Sequence, residues 1–489
     1  MKKRLFFSLA PFAAIAPVAL TVSCGKDEFF KETDMIGKDG KPIEGRKTVT
    51  TLAPIVSNPD FKLAESQKDY KTVFITDEGS IEDKSFNQSG WEAVHKLSYE
   101  LRIDVAKSKG NRNLVNSYRQ PGPGQLYSTY TSVVESQQYK YVVLCGFTHN
   151  APLAQLFKDD KLRKIVEDKN MIFICIDFVP EIKKVDEEKD KDGKPLSEEA
   201  KKKAKEENAK YDLVELNGIL KKHSIAVNFT TNIAGYMAGY ALANYFAEKY
   251  PTDAAKRTIG AFGGIPWPGV SDFIMGTFQG IYDANKTLGG KTTRSIRDTI
   301  NLDSGFESGT AKATSAIDEI KAAEAWYPVA GSLSVLAAGR LSKDQFLIGV
   351  DADQALALAN VKIFTSVMKL VGQAIYNILG NFYTYGNVDK VPQLKNWATT
   401  GEALPFGYSI EAPTERYVNI AKASLENADN DKIADKYLDA ARKYYEEHSA
   451  EILAEYAKLG TTYSKNPDKL PQVFQDICDG LAKAINAQK

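Results

Sequence analysis

From Lys71 onward the chain repeats one pattern: a short run of apolar or β-branched residues, a polar loop, then a stretch with helical spacing. The runs fall at 72–76, 103–107, 141–145, 171–176, 224–229, 258–262, 296–301, 326–330, 346–350 and 362–366. Between them, sets such as Trp91, Val94 and Leu97, or Ile233, Met237, Tyr240, Ala241 and Asn244, recur at helical intervals. Continuously apolar strands separated by helices predict parallel sheets, because the crossover helices cover both faces. The expected class is α/β.

Open sheets of this kind bind ligands at loops that follow the carboxyl ends of strands. The stretch from Val73 to Asn87 carries the strongest such loop. An apolar run ends at Asp77, a polar turn follows, and Ser85-Phe86-Asn87 opens a helical segment. Asp77 offers acceptors, Asn87 an amide and Phe86 an aromatic face, which together suit a flat, polar small molecule; Asp83 is read as a turn residue. Further strand-end positions are Gly146 to Asn150, Asp177, Phe306, Gly331, Asp351 to Gln354, Thr365, Ser366 and Lys369. Collectively they suit a cleft between two sheets. His149 is read as a solvated loop residue or one that looks into that cleft. Gly260 to Gly264 is either a structural turn or a ligand-facing loop.

Several classes of function find no support. The 63 basic and 63 acidic residues balance, so charge gives no reason to expect a nucleic-acid partner. The four histidines have no paired-ligand spacing, so no metal site is expected. Gly289-Gly290-Lys291-Thr292 lacks the earlier glycine of a phosphate loop, since position 285 is Asn. There is no nucleophile elbow and no cysteine with a plausible partner histidine. The chain is expected not to be an enzyme.

The N-terminus reads as an address. Lys2, Lys3 and Arg4 precede an apolar segment, Leu5 to Val22, broken by Pro11 and Pro17, and then Ser23-Cys24-Gly25. A basic region, a short apolar region and a small residue before the cut form an export signal. The segment resembles the lipobox of bacterial lipoproteins, with Thr21 where Leu is usual. That implies a diacylglycerol on Cys24, and two acyl chains anchor a protein durably. Cys145 and Cys175 lie in apolar runs, and with Cys478 they leave an odd number, so no disulfide is expected.

Six pieces carry a closer resemblance. They are Asp77 to Asn87 with its Asp83-Lys84-Ser85-Phe86-Asn87 core; Ala234 to Gly239; Ile259 to Gly264; Phe273 with Gly276 to Gly280; Ile348 to Gln354; and Thr365 to Lys369. In content and order the chain resembles the basic membrane protein family of ABC-transporter substrate-binding lipoproteins, typified by bacterial purine nucleoside receptors. The resemblance implies two Rossmann-like lobes joined by a hinge, of the periplasmic-binding-protein type I, with a ligand enclosed between them. It implies a purine stacked between Phe86 and a second aromatic, for which Phe306 is the candidate. It also implies a base-side contact from Asp77, with Asp177 or Asn150 at a further base-side position, and ribose contacts from Asp351, Gly331 and Lys369; Asn87 is a further candidate ligand contact. An internal salt bridge is the alternative reading of Asp351 and Lys369. The implied partners are a nucleoside, an ABC permease with its ATPase, and the membrane through the lipid; a monomer without cofactor is expected.

The expected organisation is a signal peptide at 1–24, a flexible tether at 25–70, and a first lobe at 71–222 carrying a charged insertion near 181–215. A second lobe follows at 223–345, return segments at 346–411, and a helical extension at 412–489. The insertion holds ten Lys and ten Asp or Glu between 181 and 210, too polar to add core. Tether, insertion and extension depart from the compact family and resemble mollicute surface lipoproteins. Three other functions remain open on sequence: the same fold binding a sugar or another small molecule, a surface antigen or adhesin, and a nucleoside-cleaving enzyme.

Overall fold

Strand β1, Thr72–Thr76, shows how the sheets are built: Val73 and Ile75 face one apolar cluster while Phe74 faces another. Such two-sided burial requires cover on both faces. The computed structural model of the chain describes residues 48–53, 62–77, 79–107, 116–189, 194–358, 360–465 and 469–488. Cys24 and the expected signal segment lie outside them.

The first lobe continues with α1, Phe86–Lys107; β2, Ser117–Arg119; α2, Leu126–Ser136; and β3, Tyr141–Cys145. Then come α3, Asn150–Lys158; α4, Asp160–Asp168; β4, Ile172–Ile176; α5, Glu198–Lys210; α6, Leu213–His223; and β5, Ser224–Val227. Its five strands are parallel, in the order β2-β1-β3-β4-β5. The order reverses beside β1, so a crevice opens between the ends of β1 and β3.

The second lobe holds α7, Thr231–Lys249; β6, Thr258–Gly263; α8, Pro268–Asn285; β7, Arg294–Ser295; and α9, Ala311–Ile320. It goes on with β8, Ala325–Val329; α10, Leu333–Ala338; β9, Phe346–Asp351; and β10, Ile363–Lys369. The chain then returns to the first lobe as α11, Val371–Tyr385, which packs beside α1, and passes through α12, Trp397–Thr400. It ends with β11, Val418–Ile420; α13, Ala428–Lys465; and α14, Leu470–Ala487. The six-stranded order is β11-β10-β9-β8-β6-β7, with only β11 antiparallel. Helices α7 and α8 press together closely, because a Cβ at Gly239 would overlap the carbonyl of Thr277. Helix α13 lies on α7, and α14 on α8.

Three crossings join the lobes. Phe406 N donates to Asn228 O at 2.7 Å, Leu370 N to Tyr417 O at 2.8 Å, and Tyr417 N to Gly407 O at 2.8 Å. These short backbone bonds tie the three passages into one hinge.

Three sequence expectations change, the first at 296–301, where the edge strand is β7 at Arg294–Ser295 and only an isolated bridge from Asn301 to Phe262 follows. The run at 103–107 is the last part of α1, and the neighbouring strand is β2. Five residues are too few to separate the two periods, and no Gly or Pro interrupts Ile103 to Lys107. Tyr417, Ile420 and Ala421, inside the expected helical extension at 412–489, border or form β11 instead, where β-branched Val418 and Ile420 complete a sheet edge. Cys145, Cys175 and Cys478 are free and buried.

Candidate functional site

A cavity of about 830 Å³ opens where the carboxyl ends of both sheets meet. Its first-lobe wall begins at Asp77, directly after β1. Asp83 caps α1: its carboxylate accepts from the backbone N–H groups of Ser85, Asn87 and Gln88 at 2.9, 2.9 and 3.0 Å. The cap fixes the Asn87 side chain, whose Nδ2 donates to Asp83 at 3.0 Å and to Asp77 Oδ1 at 3.1 Å. Asn87 Oδ1 is buried without a hydrogen-bond partner. Asn87 therefore orients Asp77 and keeps an acceptor in reserve. Burial pushes the Asp77 carboxyl up to about 7, against the pull of Asn87.

Lys369 ends β10 at the centre of the cavity, 2% exposed. Its Nζ lies 2.5 Å from Asp177 Oδ2, after β4, and 3.2 Å from Asp351 Oδ1, at the end of β9. Ser85 Oγ donates to the other Asp351 oxygen at 2.9 Å. The ammonium thus bridges carboxylates from different lobes. Burial opposes its charge, but the two carboxylates outweigh that and raise its pKa. Asp177 and Asp351 both have left-handed backbone, with φ of 66° and 64°. Side chains other than glycine rarely hold that conformation outside turns and ligand sites.

Aromatic surface comes from three elements. Phe86, the first residue of α1, is buried, and the Lys369 ammonium lies 4.5 Å from its ring centroid. Phe306 belongs to the second lobe; its ring packs on Gly264, where a Cβ would overlap it, and lies beside Gly331. Phe147, after β3, is 6.1 Å from Phe306 across the interlobe gap.

Of the positions singled out by sequence, Asp77, Phe86, Asn87, Asp177, Phe306, Gly331, Asp351 and Lys369 line this one cavity. Asn150 does not: it starts α3, and its amide oxygen accepts from Glu181 N at 3.1 Å, holding the chain beyond β4. Asp177, expected on the base side, stands with Lys369 and Asp351. His149 is wholly buried between Tyr130 and Phe178, its Nδ1 bonded to the Tyr130 hydroxyl, and burial lowers its pKa to about 3. It is neither a loop histidine nor a wall of the cleft. From the Gly146 to Asn150 loop it is Phe147 and Thr148 that reach the cavity, while Glu82, Glu307, Gly269 and Lys312, to which sequence reasoning assigned no individual role, also line it. The glycine in Trp267-Pro268-Gly269, where α8 begins beside the Asp177 carboxylate, was the available signal for one of them.

Carboxylates outnumber ammonium groups around the cavity, with Asp77, Glu82, Asp83, Asp177, Glu307 and Asp351 against Lys312 and Lys369. The site is built to accept hydrogen bonds and to repel anions. Among the described residues no group of three His, Cys, Asp or Glu is placed to hold a metal ion, and no helix is long and apolar enough to cross a membrane.

This architecture is that of a two-lobed solute receptor, and residues 70–394 match the family described as ABC transporter substrate-binding protein PnrA-like. The chain belongs to that family of transport proteins, which work with an ABC permease and its ATPase on small-molecule ligands. It is 20% identical to Basic membrane protein D of Borreliella burgdorferi (strain JD1) over 331 residues, 66% of this chain and 75% of that protein. Among solved structures it is similar to an ABC transporter system solute-binding protein from Aeropyrum pernix K1, at 16% identity and a TM-score of 0.45, covering 83% of this chain and 99% of that one. It is also similar to a sugar transporter from Clostridium phytofermentans, at 13% identity and a TM-score of 0.38, covering 73% and 100%. The fold assignment rests on the two parallel sheets themselves.

Proposed function

We propose that the chain is a lipid-anchored extracytoplasmic receptor that captures a purine nucleoside in the interlobe cavity and delivers it to an ABC permease. The observation that carries this reading is that Phe86 and Phe306, from opposite lobes, both line one cavity of about 830 Å³. That volume lies within the range of small-molecule sites. A base between two aromatic faces gains about 1–3 kcal/mol from stacking, largely independent of its identity. Asp77 and Asn87 then meet the N–H groups of the base edge, and Asp351, Gly331 and Lys369 meet the ribose hydroxyls. Asp177 holds Lys369 in place. The lobes close on the ligand by hinge motion, and the closed form is what the permease receives. The lipid on Cys24 keeps the receptor at the outer membrane face.

The excess of carboxylates favours a nucleoside over a nucleotide, because a phosphate would enter against like charge. Calorimetry of the purified protein with inosine, ribose and inosine monophosphate tests the assignment. Saturable binding of inosine, with the other two at least tenfold weaker, is expected. Equal affinity for ribose would assign the site to sugars, and conversion of inosine to base and sugar would make the chain an enzyme.

A further inference from the structure

Residues 48–53 belong to neither sheet, yet side chains of α1 and α11 hold them along their length. The carboxylate of Glu92, on α1 and 0% exposed, accepts from Val49 N at 3.1 and 3.2 Å and from Thr50 N at 3.0 Å. Thr50 Oγ1 donates to Ser89 Oγ at 2.9 Å, and Lys96 Nζ to Leu52 O at 3.3 Å. Gln373 of α11 brackets Ala53, accepting from its N–H at 2.8 Å and donating to its carbonyl at 3.3 Å. All of these partners are in the first lobe. The Val49 side chain, 2% exposed, instead forms a small apolar cluster with Ala352 and Ala357, which follow β9 in the second lobe.

The same carboxylate is wired to the ligand loop. Gln88 Nε2 donates to Glu92 at 2.8 Å, and Gln88 Oε1 accepts from Lys84 N at 3.0 Å. The carbonyl of Lys84 accepts from Gln354 Nε2 of the second lobe at 3.2 Å. Val49 therefore sits where the lobes meet, one residue from the side chain that braces the start of α1.

We propose that this seam is a docking groove for the chain's own segment 48–53, complete only when the lobes are closed. Rotation about the hinge withdraws Ala352 and Ala357 and leaves Val49 facing water. A segment that binds the closed form better than the open form shifts the population toward closure, and ligand and segment must then favour one another equally. The segment precedes the folded body, so ligand occupancy would be reported to whatever holds the chain upstream. The proposal rests on closure of the lobes around a ligand, as read above, and not on the ligand being a nucleoside.

The test is hydrogen–deuterium exchange on the full chain, read at the amides of Val49 and Thr50. In Ala357→Glu these amides are expected to exchange at least tenfold faster, although both are hydrogen-bonded to Glu92 and not to residue 357. Unchanged exchange means the first lobe alone holds the segment, and overturns the proposal. This arm needs no ligand, so it stands whether or not inosine binds. The second arm titrates Val49→Asp with inosine by calorimetry. A loss of at least threefold in affinity, with circular dichroism unchanged, supports coupling; affinity equal to the parent protein overturns it.

Discussion

The Lys369 ammonium lies 2.5 Å from the Asp177 carboxylate, joining the end of β10 to the end of β4 across the interlobe gap. With Asp351 on its other side, the lysine is the charge that allows two buried acids to share one small space. Removing one partner of such a cluster leaves uncompensated buried charge.

Lys369→Met is therefore expected to destabilise the ligand-free protein by about 3–5 kcal/mol, because two carboxylates lose their counter-ion. Adding Asp177→Asn should recover part of the loss. Urea denaturation followed by circular dichroism measures both. A single variant as stable as the parent would mean that the ion pair does not hold the lobes together.

Asp77 gives the site a pH dependence. Its carboxyl is raised from the ordinary range to about 7, so its effect on folding is favourable below about pH 4 and is lost as pH rises through 7. Ligand binding has the opposite sign, since an N–H donor needs the ionised form. Affinity for inosine should rise roughly tenfold between pH 6 and 8, as the ionised fraction rises. Asp77→Asn should bind weakly at both values, with a flat profile. A parent profile that is flat, or that falls with pH, would remove Asp77 from base recognition.

Phe86 and Phe306 are expected to act as a pair. Phe86→Ala and Phe306→Ala should each weaken inosine binding by at least tenfold, in line with stacking worth about 1–3 kcal/mol. Phe306 is 36% exposed, so its loss should leave the melting temperature within a few degrees, whereas Phe86 supports the start of α1 and should cost more. Calorimetry and thermal melts separate the two effects. An unchanged affinity in either variant would end its stacking assignment.

Asp83 touches no ligand in this account and still matters. Asp83→Ala removes the cap of α1 and one anchor of Asn87, with a stability cost of about 1–2 kcal/mol. Asp83→Ser, which restores a cap acceptor but not the second oxygen, should recover stability before affinity. If affinity is unaffected in both, Asn87 is oriented by Asp77 alone.

The sheets were legible in the sequence because strands buried on both faces are short and uniformly apolar. Val73 to Thr76 and Tyr141 to Cys145 have no other reading. The cleft was legible because Asp77, Asp351 and Lys369 directly end strands, where the chain direction fixes which way a loop projects. Asn150 and His149 were not, since they sit in and beside the turn that opens α3, and one residue of rotation decides between cleft and core. The 103–107 run failed for want of length. The docking of 48–53 was invisible, because it depends on Glu92, one of three acids on a helix otherwise read for its apolar face.

Whether the cleft holds a nucleoside is read most directly by mass spectrometry of small molecules released when the purified protein is denatured. A purine nucleoside is expected at up to one equivalent per chain, absent from a Phe86→Ala preparation handled identically. Release of a sugar, a nucleotide or another compound in its place, from the parent and not the variant, would contradict the nucleoside assignment.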